Sequence, residues 1–134
     1  MSQRKEYIIA LSSLICGCFI YLFFRKNIIG LEVLSIDTSS LIIEIEHNIV
    51  TDIIIYNLPD ALWFFSLILF QIQFYKNRSL LSKVILYACI ALPFIGEIMQ
   101  KHNIISGTFD IIDVVLYALV LIIVMIWKRK KLFT

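Results

Sequence analysis

Glu97, Gln100, Asp110, Asp113 and Tyr117 lie within one stretch, Pro93 to Tyr117 (PFIGEIMQKHNIISGTFDIIDVVLY), where carboxylates are set into two strongly apolar runs. An acid at the edge of a hydrocarbon layer is costly unless it is paired or used. Positions 110, 113 and 117 are spaced i, i+3 and i+7, so two carboxyls and a phenol project from one helical face into the same space. Glu97, Gln100 and Lys101 share a face of the preceding run, with Glu97 and Lys101 in the favourable order for an ion pair. Such a pair, if exposed, contributes only about 0.3 to 0.5 kcal/mol and does not by itself justify an acid in lipid. Asp60 opens another apolar run behind Asn57-Leu58-Pro59. Proline suits a first helical turn and the helix dipole favours an acid there.

Asp60, Glu97, Gln100, Asp110, Asp113 and Tyr117 are therefore the candidate ligand-binding set. Their oxygens suit a cationic or hydroxyl-rich headgroup or a hard divalent cation, and the residue types name no particular metal. Paired carboxylates also serve as acid and base. The chain has no Gly-x-Ser-x-Gly, no His-Glu-x-x-His and no phosphate loop. No catalytic residue and no cofactor are expected.

The elements that must position these groups are set by composition. The chain has 134 residues, of which 60% are apolar and 16% charged, well outside the range of ordinary soluble domains. A spanning helix needs about 20 mostly apolar residues. Four stretches meet or approach that, at approximately 7–24, 58–75, 80–99 and 109–127. The expected fold is all-α: a polytopic membrane protein forming a single domain over 1–134, a four-helix transmembrane bundle with an outer amphipathic segment between helices 1 and 2. Pro93, inside the third helix, frees a backbone carbonyl and is expected to kink it. Thr108, after Ser106-Gly107, is a reasonable N-cap for the fourth.

With both termini in the cytoplasm, the inner side receives Arg4, Lys5, Lys76, Arg78, Lys83 and Lys128 to Lys131, and the outer side keeps Arg25, Lys26 and Lys101. Nine against three satisfies the positive-inside rule and points to the cytoplasmic (inner) membrane. Among the acids only Glu6 lies inside, so any site they build faces out. The net charge of +2, with the basic residues dispersed at helix ends, excludes a nucleic-acid partner. Membrane lipids, and another membrane protein, are the partners such a chain admits.

Ser13 and Gly17 form a small-xxx-small pair that lets another helix approach closely. Cys16, Cys18 and Cys89 read as small buried hydrophobes. In the extracytoplasmic segment 27–57, a helical winding from Ser40 gathers Glu44, His47, Asn48, Thr51 and Asp52 on one stripe, while the alternation at Ile43 to Glu46 also allows a strand. Helix is the favoured reading, because the alternation fails at His47 and a lone strand would leave an unpaired edge. Asp60, Phe64, Leu67 and Gln71 share the face of the second helix expected to look into the bundle.

Glu97-Ile98-Met99-Gln100, followed by Gly107-Thr108-Phe109-Asp110-Ile111-Ile112-Asp113 and preceded by Asn57-Leu58-Pro59, resembles the VanZ-like family of small bacterial membrane proteins. That family carries an E-x-x-Q at one helix end and a D-x-x-D opening the next; here the elements span 57–117, about half of the chain. The resemblance implies a four- or five-helix membrane domain of the cell envelope, no assigned chemistry and, for the founding member, a contribution to glycopeptide (teicoplanin) antibiotic resistance. Glu97, Gln100, Asp110 and Asp113 are the positions it carries over. The chain departs from the pattern in having Ser106-Gly107-Thr108 where the family has an arginine, and Leu116-Tyr117-Ala118 where it has asparagine and glycine. The expected function is a non-enzymatic multi-pass envelope protein whose outward-facing acids bind a cationic or lipid headgroup, a glycopeptide-related ligand or a divalent cation. The alternatives are an accessory subunit of a larger membrane complex and an interfacial enzyme acting on lipids or lipid-linked sugars.

Overall fold

A computed structural model describes residues 3–25, 42–43, 45–74 and 79–133, with side chains as far as Lys128. Among these residues the chain is all-helical, and four helices are long and apolar enough to cross a membrane. They are α1 (Gln3–Phe24), α2 (Ile49–Phe74), α3 (Leu80–Lys101) and α4 (Ile111–Phe133).

The largest departure from expectation is the start of α2, which begins at Ile49 instead of Leu58. Asn48 is its N-cap: the side-chain oxygen accepts from the N–H groups of Val50 and Thr51, both at 3.0 Å, and the Thr51 hydroxyl accepts from the Asn48 N–H at 2.8 Å. This reciprocal box satisfies the donors that a helix start leaves open. Two members of the expected amphipathic stripe are therefore helix-capping groups, and the second half of that segment is an extension of α2. The remainder of segment 27–57 lies mostly outside the described residues. Where it is described, Ile43 donates its N–H to the Phe23 carbonyl at 2.8 Å, and 45–48 are non-helical. One wide π turn, Ile53–Asn57, sits inside α2 directly before Pro59. Proline has no N–H for the regular ladder, so the helix already lacks one bond there.

α2 is the central helix: 44% of its apolar stretch is buried, against 17, 11 and 22% for α1, α3 and α4. Its seam with α1 is built from small residues. Ser66 donates to the Ala10 carbonyl at 2.8 Å and Ser13 to the Leu62 carbonyl at 3.0 Å. Gly17 lies under the Trp63 indole, where a Cβ would come within 2.6 Å of Nε1. Glycine is required there because the backbone itself meets the ring. The buried core then joins Phe64, Ile68, Leu69 and Ile72 of α2 to Leu86 of α3 and to Tyr117 and Val124 of α4. Because α2 is contacted from several sides, no single face looks inward. Phe64 is buried as expected, but Leu67 is 37% exposed and the fully buried amide is Gln73 instead of Gln71.

At the opposite end of the bundle from Asp110 and Asp113, Glu6, Gln73 and Lys128 close the packing. The Lys128 ammonium lies 2.8 Å from Glu6 Oε1, both side chains only 3% exposed, and Gln73 Nε2 donates to Glu6 Oε2. Three helix ends are thus tied by one carboxylate. Breaking a buried pair strands a charge, whereas replacing both partners by apolar groups of similar size is close to neutral. Glu6→Gln or Lys128→Met alone is expected to lower unfolding stability by about 3 to 5 kcal/mol. The Glu6→Leu, Gln73→Leu, Lys128→Met triple variant, which removes all three polar partners, should recover most of that loss in denaturant titrations of the protein in micelles.

Candidate functional site

The site is assembled from the other end of the helices. α3 finishes in a tight cap: Asn103, in the left-handed region (φ 54°), and Ile104 return their N–H groups to the carbonyls of Gln100 and Met99, each at 2.9 Å. This is the double bond of a Schellman cap, and it turns the chain back toward α4. Gly107 (φ 128°) passes close over the Gln100 side chain in a backbone conformation that residues with a Cβ rarely adopt. The chain then reaches Asp110, whose N–H donates to Glu97 Oε2 at 3.1 Å and whose Oδ1 accepts from the Ile112 N–H at 2.8 Å. Asp110, not Thr108, therefore caps α4: a carboxylate two residues before the acceptor-hungry second N–H is placed for it.

Asn57, at the end of the π turn, is the centre of the arrangement. Its Nδ2 donates to Asp110 Oδ2 at 2.7 Å and to Asp113 Oδ1 at 2.9 Å. Asn57, Glu97 and Asp113 are 4, 6 and 8% exposed. Around them is a chamber of about 840 Å³, lined also by Asp60, Gln100, Asp110, Asp52 and Arg25. The Arg25 guanidinium stands 4.7 Å from the Tyr21 ring centroid and 5.7 Å from that of Tyr56. At the rim, His47 Nδ1 and Asp52 Oδ1 are 2.7 Å apart and both are exposed. The chamber is therefore predominantly acidic, with one guanidinium and one imidazole among its described lining.

Of the six residues singled out in the sequence, five line this chamber: Asp60, Glu97, Gln100, Asp110 and Asp113. Tyr117 sits a turn lower. It packs edge-on against Phe64 and Phe94, with centroids 5.3 and 5.8 Å away, and it lines a second, apolar slot of about 400 Å³ with Leu14, Trp63, Phe64, Leu67, Pro93 and Asp60. α3 runs as helix through Pro93, which forms part of that slot wall. The Glu97–Lys101 pair does not form. Glu97 turns inward to the Asp110 N–H, and the exposed Lys101 ammonium lies 5.2 Å from the Phe109 ring centroid.

Asn57, Arg25 and the His47–Asp52 pair are the groups that the sequence reading did not place at the site. By sequence Asn57 stands just before the expected helix; the Asn48-x-x-Thr51 box is the signal that the helix starts two turns earlier and carries the amide on its bundle face. Among the described residues, no group of three or more His, Cys, Asp or Glu side chains is disposed to hold a metal ion.

No family model matches this chain, and no match is found among curated proteins or solved structures.

Removing the shared donor is the direct test of the arrangement. A buried acceptor left without its donor costs about 1 to 3 kcal/mol. Asn57→Leu, which leaves Asp110 and Asp113 without it, is expected to lose at least that much. Asn57→Asp, the same size but an added acid, should lose more, both measured by thermal unfolding in micelles. Variants as stable as the parent would show that the amide does not hold the two carboxylates.

Proposed function

We propose that the chain is a multi-pass protein of the cytoplasmic membrane, with both termini on the cytoplasmic side, whose acidic chamber opens at the outer face and binds a cationic, amine-bearing group without catalysing a reaction. Four helices of spanning length and the excess of Lys and Arg at the ends assigned to the cytoplasm support the membrane placement. The observation that carries the ligand reading is the gathering of Asp60, Glu97, Asp110 and Asp113, from three helices, around one chamber of ligand size. Pockets for small ligands measure about 300 to 1,000 Å³, and a carboxylate set in such a space is expensive unless a cation faces it.

A diffuse organic cation suits this arrangement better than a divalent metal, since one oxygen each of Asp110, Asp113 and Glu97 is taken by the Asn57 amide or the Asp110 N–H, and among the described residues no three such side chains are disposed as metal ligands. Membership of the VanZ-like family, with its link to glycopeptide resistance, remains a proposal resting on the E-x-x-Q and D-x-x-D motifs alone. An enzymatic role has less support: the imidazole His47 is at the exposed rim, 2.7 Å from Asp52, away from the buried acids.

Ligand stabilisation follows the occupancy of the folded state. Ethanolamine derivatives too polar to cross the bilayer are expected to raise the melting temperature of the protein in right-side-out vesicles and not in inverted ones. Glu97→Gln and Asp113→Asn should each abolish the shift. A shift from the inverted side only, or one that survives both substitutions, would contradict the proposal.

A further inference from the structure

The chamber does not end at the acids. Asp60 belongs both to its wall and to the wall of the apolar slot beneath, which is bounded by Leu14 of α1, Trp63, Phe64 and Leu67 of α2, Pro93 of α3 and Tyr117 of α4. From Asp60 to Leu67 the helix advances about 10 Å, at roughly 1.5 Å per residue. One leaflet of hydrocarbon is about 15 Å deep. The slot therefore runs from the headgroup level through much of the outer leaflet in the placement proposed above. Leu67 at its lower end is 37% exposed, so the slot reaches the surface of the bundle on the side that lipid would cover.

The two spaces differ in chemistry in the way that the two ends of a phospholipid differ. The chamber presents carboxylates for an ammonium group and, at the same level, Arg25 for a phosphate. Arg25 stacks on Tyr21, and Tyr21 packs on Trp63 with centroids 5.2 Å apart, so the guanidinium stands above the slot wall. Guanidinium and phosphate are matched in geometry as well as in charge. The slot offers mainly aliphatic and aromatic surface; its lining residues carry, besides the shared carboxylate, only the Tyr117 hydroxyl and the Trp63 indole N–H as polar side-chain groups.

We infer that chamber and slot form one site for a single zwitterionic phospholipid with a primary-amine headgroup: ammonium among Asp60, Glu97 and Asp113, phosphate at Arg25, one acyl chain in the slot. This deepens the proposed function and rests on it. A free amine would use the chamber alone. An anionic lipid would meet the acids with no ammonium to offset them.

The test separates the two claims. Purified protein in micelles is titrated calorimetrically with dihexanoyl-phosphatidylethanolamine, with glycerophosphoethanolamine, which has the same headgroup and no chains, and with dihexanoyl-phosphatidylglycerol. The chained ethanolamine lipid is expected to bind about tenfold or more tighter than the chainless headgroup, as burial of a few methylenes predicts, and tighter than the glycerol lipid. Leu67→Trp and, as a second slot-filling variant, Leu14→Trp should bring the chained-to-chainless ratio toward one while circular dichroism stays unchanged. Asp113→Asn should weaken both ethanolamine probes together. A ratio near one in the parent protein, a ratio unmoved by both slot variants, or equal binding of the glycerol lipid overturns the phospholipid inference. Provided that Asp113→Asn still weakens the chainless headgroup, the chamber reading survives that result. If Asp113→Asn leaves both ethanolamine probes unaffected, the chamber reading itself fails.

Discussion

Two hydrogens on one amide hold the outer end of this bundle together. Asn57 donates to Asp110 and Asp113, at 2.7 and 2.9 Å, and is itself carried by the helix that every other helix packs against. Two carboxylates brought side by side repel, and in a partly dry setting that repulsion is screened less than in water. A neutral donor bonded to both lets them stay close without cancelling their charge. The Glu97 carboxylate is used in the same manner, tethered by the Asp110 N–H. The acids are thus fixed in place by partners that leave the chamber acidic, and it is this residual charge that gives the chamber its preference for a cation.

The two ends of the bundle solve the problem of buried charge in opposite ways. At one end Glu6 meets Lys128 directly, and Gln73 satisfies the other carboxylate oxygen. That end is packed shut. At the other, the acids outnumber the described cation and surround an open volume of about 840 Å³. Between them lie the Phe64, Phe94 and Tyr117 rings and the aliphatic layer of Ile68, Leu69 and Ile72. Among the described residues, this layer of rings and aliphatic side chains stands between the two polar ends.

Much of this is legible in the sequence. Four apolar runs of spanning length are a composition signal that tertiary context does not alter, and small residues at 13 and 17 announce a close helix approach. Acids at helix ends with i, i+3 spacing were equally visible. What escaped was everything that depends on pairing between distant segments. Lys128 reads as one of the basic residues at a helix end and Glu6 only as the one inner acid, and nothing in either neighbourhood names the other. Pro59 is a strong sign of a first helical turn, and it concealed the fact that the wide turn before it lets α2 continue past. Tyr117 was assigned to the acids by spacing along α4 alone. A rise of one turn beyond Asp113 takes the ring below the chamber floor and into the aromatic layer.

The meeting of Asn57 with Asp113 across α2 and α4 is the claim on which the site stands. In a background with Cys16, Cys18 and Cys89 replaced by alanine, Asn57→Cys and Asp113→Cys can be introduced together and oxidised in native membranes. Rapid intramolecular disulfide formation is expected, seen as a mobility shift that reducing agent reverses. Failure of this pair to cross-link, while a control pair on the α1–α2 seam such as Ser13→Cys with Leu62→Cys does so, would contradict it.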